Sequence, residues 1–229
     1  LSRAKKKRLD VESAATTPHP QLADKTVGKF HFTFLNHHQK AAWEAIETNE
    51  ITFLLGPAGC GKTQIATAYA ARAFLEKRAR KILLTRPMVC TEQMGYLPGS
   101  SDEKIHPFLI PILDSLDTCC GAGGQDRKRI DEALEFAPLA FMRGRTFNHS
   151  VALLDEAQNA TAAQLKLFLT RVGRRSKLIV TGDPFQSDLR EGCMDVVNRL
   201  ENIPGIAIIR LPEDAQVRNP LISKILEKM

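Results

Sequence analysis

The run Ile51-Thr52-Phe53-Leu54-Leu55 is apolar and rich in strand formers, and it passes directly into Gly56-Pro57-Ala58-Gly59-Cys60-Gly61-Lys62-Thr63. From Thr63 to Glu76, the residues Ile65, Ala66, Tyr69, Ala70, Ala73 and Phe74 recur at helical spacing. A strand, a G-x-x-x-x-G-K-T loop and a helix in this order restrict the local fold to a strand whose carboxyl end opens onto a helix N-terminus. The glycines let the backbone turn tightly, and the loop amides then converge on phosphate oxygens. Gly56, Pro57, Ala58, Gly59, Cys60, Gly61, Lys62 and Thr63 are thus the expected phosphate cradle. Lys62 is expected on the β- and γ-phosphates, and the Thr63 hydroxyl on Mg2+.

The rest of the chain repeats the same theme from about residue 35. Strands are predicted near 51–55, 81–85, 151–154, 177–181 and 206–210. Helices are predicted near 37–48, 62–77, 103–117, 126–136, 161–171, 192–201 and 220–228. Strands alternating with helices imply an α/β fold of the P-loop NTPase type, with a mainly parallel sheet and helices on both faces. Residues 98–125, with Pro98, Gly99, Pro107, Pro111 and the Gly121-Ala122-Gly123-Gly124 stretch, read as an excursion with a flexible turn. Residues 1–25 carry Lys5-Lys6-Lys7-Arg8 and few large apolar side chains, and are expected to be a disordered basic tail. The folded domain is then 26–229.

The 229 residues suit one α/β domain plus that tail. No window approaches the about 18 apolar residues of a membrane helix, and no secretory signal is visible. The five cysteines, Cys60, Cys90, Cys119, Cys120 and Cys193, are odd in number and lack C-x-x-C spacing. A reducing cytoplasm is the expected compartment, with neither a disulfide scaffold nor a zinc site. A net charge of +6 permits nucleic-acid binding without demanding it.

Val151-Ala152-Leu153-Leu154-Asp155-Glu156 is an apolar strand ending in two acids, the Walker B arrangement. Ligands of open α/β sheets lie at the carboxyl ends of strands, so Asp155 is expected to hold the Mg2+ shell. Glu156 is expected to orient and deprotonate a water. Leu178-Ile179-Val180-Thr181-Gly182-Asp183 is a second such strand, and it would bring Gln186 to the γ-phosphate. Upstream, the Gln39 amide donates and accepts at once, which suits an adenine edge. Phosphoryl transfer also needs a cation, and Arg86, Arg143, Arg145, Arg171 and Arg218 are candidates among which composition does not choose.

In order along the chain, these pieces resemble the PhoH-like family of P-loop ATPases. The matching strings are Asn36-x-x-Gln39, Leu55 to Thr63, Leu84-Thr85-Arg86-Pro87 and Gly95-Tyr96-Leu97-Pro98-Gly99. They continue with Phe141-Met142-Arg143-Gly144-Arg145-Thr146, Leu154-Asp155-Glu156-Ala157-Gln158-Asn159, Leu169-Thr170-Arg171-Val172-Gly173 and Thr181-Gly182-Asp183-x-x-Gln186. The likeness covers roughly residues 35–229. It implies a fold related to the first motor domain of superfamily 1 helicases, hydrolysis of ATP with Mg2+, a ring-shaped homo-oligomer such as a hexamer, and single-stranded RNA or DNA as a partner. It also implies that Arg171 and Arg218 lie near the γ-phosphate. Cys60 departs from the family pattern, which has Thr there, and Thr91-Glu92-Gln93 departs from an acidic stretch.

Three functions fit the sequence. One is an ATPase of this family, helicase-like and acting on or near nucleic acid. Another is a nucleotide-gated binding module that hydrolyses slowly. The third is a P-loop small-molecule kinase, although Glu156 directly after Asp155 favours water as the acceptor.

Overall fold

A computed structural model describes residues 25–27, 30–87, 101–184, 186 and 194–217. Its frame is a six-stranded sheet in which every pairing is parallel. The strands are β3 (Ile51–Leu55), β4 (Lys81–Thr85), β5 (Leu134–Phe136), β6 (Ser150–Leu154), β7 (Lys177–Gly182) and β8 (Ile206–Arg210). Their order is β5-β4-β6-β7-β3-β8. A short antiparallel pair, β1 (Lys25–Val27) and β2 (Phe30–Phe32), stands apart from this sheet.

Successive side chains of a strand point to opposite faces, and the apolar residues divide accordingly. Leu54, Ile82, Leu84, Val151, Leu153 and Ile179 enter one core. Phe53, Leu55, Leu83, Ala152, Leu154, Leu178 and Val180 enter the other. Both faces are therefore covered, which explains why these strands read as continuous apolar runs. The first core is covered by α1 (His37–Thr48), α2 (Lys62–Leu75), α3 (Ser101–Cys120) and α4 (Gln125–Ala133). The second is covered by α5 (Ala162–Leu169) and α6 (Met194–Arg199). Trp43 and Tyr69 are fully buried in the first core. Trp43 stacks on Phe32 at 5.3 Å and meets the edge of Tyr69 at 5.2 Å, tying β2, α1 and α2 together.

Local sequence sets the helix starts. The Asn36 side chain accepts from the Gln39 amide at the head of α1. Thr161 and Gln164 form a reciprocal capping box at the head of α5. Cys60, Cys119 and Cys120 are buried free thiols. Burial pushes Cys119 up to about 12 and Cys120 to about 11. Cys90 and Cys193 lie outside the described residues.

Two elements differ from the sequence-based expectation. The helix expected over 126–136 stops at Ala133, and Leu134–Phe136 becomes the edge strand β5. These residues pair with Ile82–Leu84, and the Ala137 amide donates to the Leu84 carbonyl. An open β4 edge needs partners for its backbone groups, and that demand outweighs the helix-forming tendency of Leu-Glu-Phe. The β1–β2 pair adds to the expected elements, and Phe30, Phe32 and Phe34 alternate with polar residues as a strand requires. The excursion over 98–125 contains a long helix, α3, across Pro107 and Pro111, ending at the Gly121–Gly124 turn. Residues 1–24 and the helix expected over 220–228 lie outside the described residues.

Candidate functional site

The site forms where β3, β6 and β7 end. β7 sits between β3 and β6, so the glycine-rich loop, Thr181 and Asp155 converge at one edge of the sheet. The loop is held from several sides. The Gly56 amide donates to the Gly182 carbonyl of β7, and the Val217 amide to the Gly59 carbonyl. Gly61 caps α2 at φ 79°, in the left-handed region, and a Cβ there would meet the Gln39 Nε2 at 2.8 Å. Both geometry and crowding therefore require glycine.

Gln39 is 1% exposed. Its Oε1 accepts from the Leu35 amide at 2.9 Å, and its Nε2 donates to the Cys60 carbonyl at 3.3 Å. The side chain thus ties the start of α1 to the middle of the loop, and it does not line the cavity.

Asp155 is the hub. It is 2% exposed, so its carboxylate needs partners. Its Oδ1 accepts from the Thr63 hydroxyl at 2.8 Å and from the Thr181 hydroxyl at 2.5 Å. Its Oδ2 accepts from Arg86 Nε at 3.0 Å and Nη2 at 2.6 Å. The Arg86 Nη2 also reaches Glu156 at 3.6 Å. Glu156 sits at φ 57°, a left-handed conformation that costs a non-glycine residue about 1–3 kcal/mol. Its carboxylate accepts from Gln158 Nε2 at 2.5 Å, and Gln158 Oε1 in turn accepts from the Asp183 amide. This chain links the ends of β6 and β7 and aims Glu156 into the cavity.

Lys62 donates to the carbonyls of Gly56 at 2.7 Å and Pro57 at 2.8 Å. Burial lowers its pKa, against the opposing pull of Asp183, the Cys60 thiol, Glu156 and Asp155. Burial likewise raises the Cys60 thiol. The cavity holds about 400 Å3 and is lined by Lys62, Thr63, Arg86, Asp155, Glu156 and Gln186 among others. Gln186 is exposed at its mouth. Thr63 and Asp155 bring a hydroxyl and a carboxylate oxygen together, the hard donors that Mg2+ prefers. Among the described residues no group of three His, Cys, Asp or Glu is placed to hold a metal. A Mg2+ site built on one carboxylate, one hydroxyl, phosphates and water fits this pair.

The candidate arginines separate clearly. Arg86 is at the site. The Arg171 carbonyl accepts from the Phe147 amide, ahead of β6, and its guanidinium donates to the Arg145 carbonyl and to Thr170. Arg171 therefore lies at the amino edge of the sheet, a strand length of about 17 Å from the phosphate cavity. Arg145 is paired with Glu135, and Arg143 is exposed. Arg218 lies outside the described residues. The sequence named Arg86 without singling it out, and it did not name Thr181 or Gln158 as parts of the site. Their positions at the carboxyl ends of β4, β7 and β6 were the available signal.

The sheet order, the loop at its carboxyl edge and the Thr63–Asp155 pair define a P-loop NTPase fold. A family profile described as "PhoH-like protein" matches residues 32–229, and the chain belongs to that family. It is 44% identical over 188 residues to the PhoH-like protein of Bacillus subtilis, covering 80% of this chain and 59% of that one. It is 41% identical over 199 residues to protein PhoH of Escherichia coli K12, covering 83% and 56%. The chain thus spans a little over half the length of the relatives it matches. The large terminase of a thermophilic bacteriophage shares the fold, with a TM-score of 0.54 and 9% identity, covering 83% of this chain and 49% of that one.

Proposed function

We propose that the chain is a Mg2+-dependent ATPase whose turnover serves nucleic-acid metabolism. The observation that carries the reading is the Asp155 hub, where one buried carboxylate joins the loop threonine, β7 and Arg86 beside Glu156. On ATP binding, Lys62 would exchange its two loop carbonyls for phosphate oxygens. Thr63 and Asp155 would hold Mg2+, which when bound would supply positive charge to the phosphate oxygens. Glu156 would orient the attacking water and take its proton, with its carboxylate steadied by Gln158. Gln186 at the cavity mouth would sense the γ-phosphate. Gln39 supports this chemistry indirectly in the present arrangement, by fixing the loop. Arg171, at the far edge, would complete a neighbouring subunit's site in a homo-oligomeric ring, and the free thiols Cys60, Cys119 and Cys120 suit the reducing cytoplasm proposed as its compartment.

Phosphate release from the purified chain, without any acceptor, tests this reading. Steady Mg2+-dependent release is expected. A single turnover followed by a stable nucleotide complex would favour a gated binding module, and ADP formed without free phosphate, only with an added hydroxyl acceptor that becomes phosphorylated, would favour a kinase.

A further inference from the structure

A second cavity, of about 520 Å3, opens at the amino edge of the sheet, opposite the phosphate site. It is lined by the C-terminal end of α2 and by the residues that lead into β3, β4, β6 and β7. Its wall carries Lys77, Arg78, Arg80, Arg175 and Lys177 with His149, and Glu50 is the one acid in that wall.

Two of these cations serve the fold. Lys177 donates to the carbonyls of Ile46, Glu47 and Asn49 at the end of α1. Arg78 bonds Tyr69 and Glu76. The side chains of Lys77, Arg80, His149 and Arg175 have no hydrogen bond or ion pair among the described residues, and Lys77, Arg80 and Arg175 are exposed. The Arg80 amide donates to the His149 carbonyl, and the His149 amide to the Arg174 carbonyl. Arg80, His149 and Arg175 therefore rise from the amino ends of three adjacent strands, β4, β6 and β7, and Lys77 lines the same cavity from just past the end of α2. At about 4.8 Å between neighbouring strands, the row spans roughly 10 Å.

The backbone adds an independent observation. Lys77 (φ 60°), His149 (φ 52°) and Arg175 (φ 52°) all adopt the left-handed conformation. Glycine would meet this geometry with less strain, yet each position carries a basic side chain aimed at one cavity.

We infer that this cavity binds the phosphate backbone of single-stranded nucleic acid. A cluster of basic side chains with no hydrogen bond or ion pair among the described residues, and one acid in the wall, matches a polyanion and not a lone carboxylate ligand. The lining holds no Phe, Tyr or Trp on which a base could stack, so recognition is of phosphates and independent of sequence. The inference rests on the nucleic-acid part of the proposed function and gives it a location.

The test is fluorescence anisotropy with a labelled 20-nucleotide oligo-U, over a salt series, on the parent chain and on Lys77→Gly/Arg175→Gly. Glycine suits both backbone positions, so the variant keeps its fold, and hydrolysis measured without nucleic acid reports that the phosphate site is intact. Binding should weaken on the order of tenfold near 0.1 M salt, and the salt slope should fall by about 1.4, for two lost phosphate contacts at about 0.7 each. A control that removes two charges elsewhere, Lys128→Gln/Arg129→Gln, should bind as the parent does. Equal losses in both variants, or parent-like binding by the glycine variant, would overturn this location and leave the ATPase reading standing. A parent chain that hydrolyses ATP but binds no oligonucleotide at low salt would remove the nucleic-acid link itself. Loss of oligo-U binding only when long-chain inorganic polyphosphate competes, with polyphosphate bound far more tightly, would assign the cavity to that polymer and overturn the inference. Impaired assembly of the glycine variant, with oligo-U affinity unchanged, would overturn it in favour of a subunit contact.

Discussion

At the residue scale, one buried carboxylate organises the site. Asp155 accepts from two hydroxyls and a guanidinium, so the head of α2 and the carboxyl ends of β4 and β7 are registered against the same two oxygens. Lys62 is the cationic counterpart, and in the proposed function its two carbonyl partners give way to phosphate oxygens. Lys62→Ala should abolish hydrolysis and weaken nucleotide binding, because no other side chain of the loop carries charge. Phosphate release and a fluorescent-nucleotide titration check this together, and a parent-like rate would remove the site from the loop. Lys62, Thr63, Asp155 and Glu156 were legible in the sequence because spacing after a strand fixes where such side chains emerge. The partners of Gln39 were not, since they depend on how α1 folds back on the loop.

At the element scale, the joint between α1 and α2 determines the shape of the loop. Gln39 bridges the Leu35 amide and the Cys60 carbonyl, and Gly61 leaves room for it. Gln39→Ala leaves the buried Cys60 carbonyl and the part-buried Leu35 amide without this partner and should cost about 1–3 kcal/mol in urea unfolding. Gly61→Ala should also destabilise, through its φ and its clash with Gln39. The double variant should be more stable than the sum of the two losses implies, because removing Gln39 relieves the clash. Strict additivity would show that backbone strain alone accounts for Gly61. The same scale explains where the sequence misleads. The parallel strands announced themselves as apolar runs, whereas Leu134–Phe136 is a strand only because β4 offers it an edge.

At the scale of the whole molecule, the two edges of the sheet have different characters. The carboxyl edge gathers Asp155, Glu156 and Asp183 around Lys62, and the amino edge gathers Arg80, His149 and Arg175. The 14 residues of α2 run between them, about 21 Å from Lys62 to the basic cavity. Arg171 also lies at the amino edge, away from this chain's own phosphate cavity, and the proposed function gives it to another copy's nucleotide. Turnover per subunit should therefore rise with protein concentration as the oligomer assembles, and Arg171→Ala should remove that rise. Light scattering that finds an active monomer with concentration-independent turnover would contradict this. The basic amino edge was not visible in the sequence, because Lys77, Arg80, His149 and Arg175 are scattered along the chain and only parallel packing aligns them.

The most direct test of the account is Glu156→Gln, which keeps the shape of the side chain and removes its charge. ATP binding by calorimetry should match the parent, while turnover falls by about two to four powers of ten, the range for a lost general base. Unchanged turnover, or loss of binding together with turnover, would contradict the assignment of hydrolysis to this site.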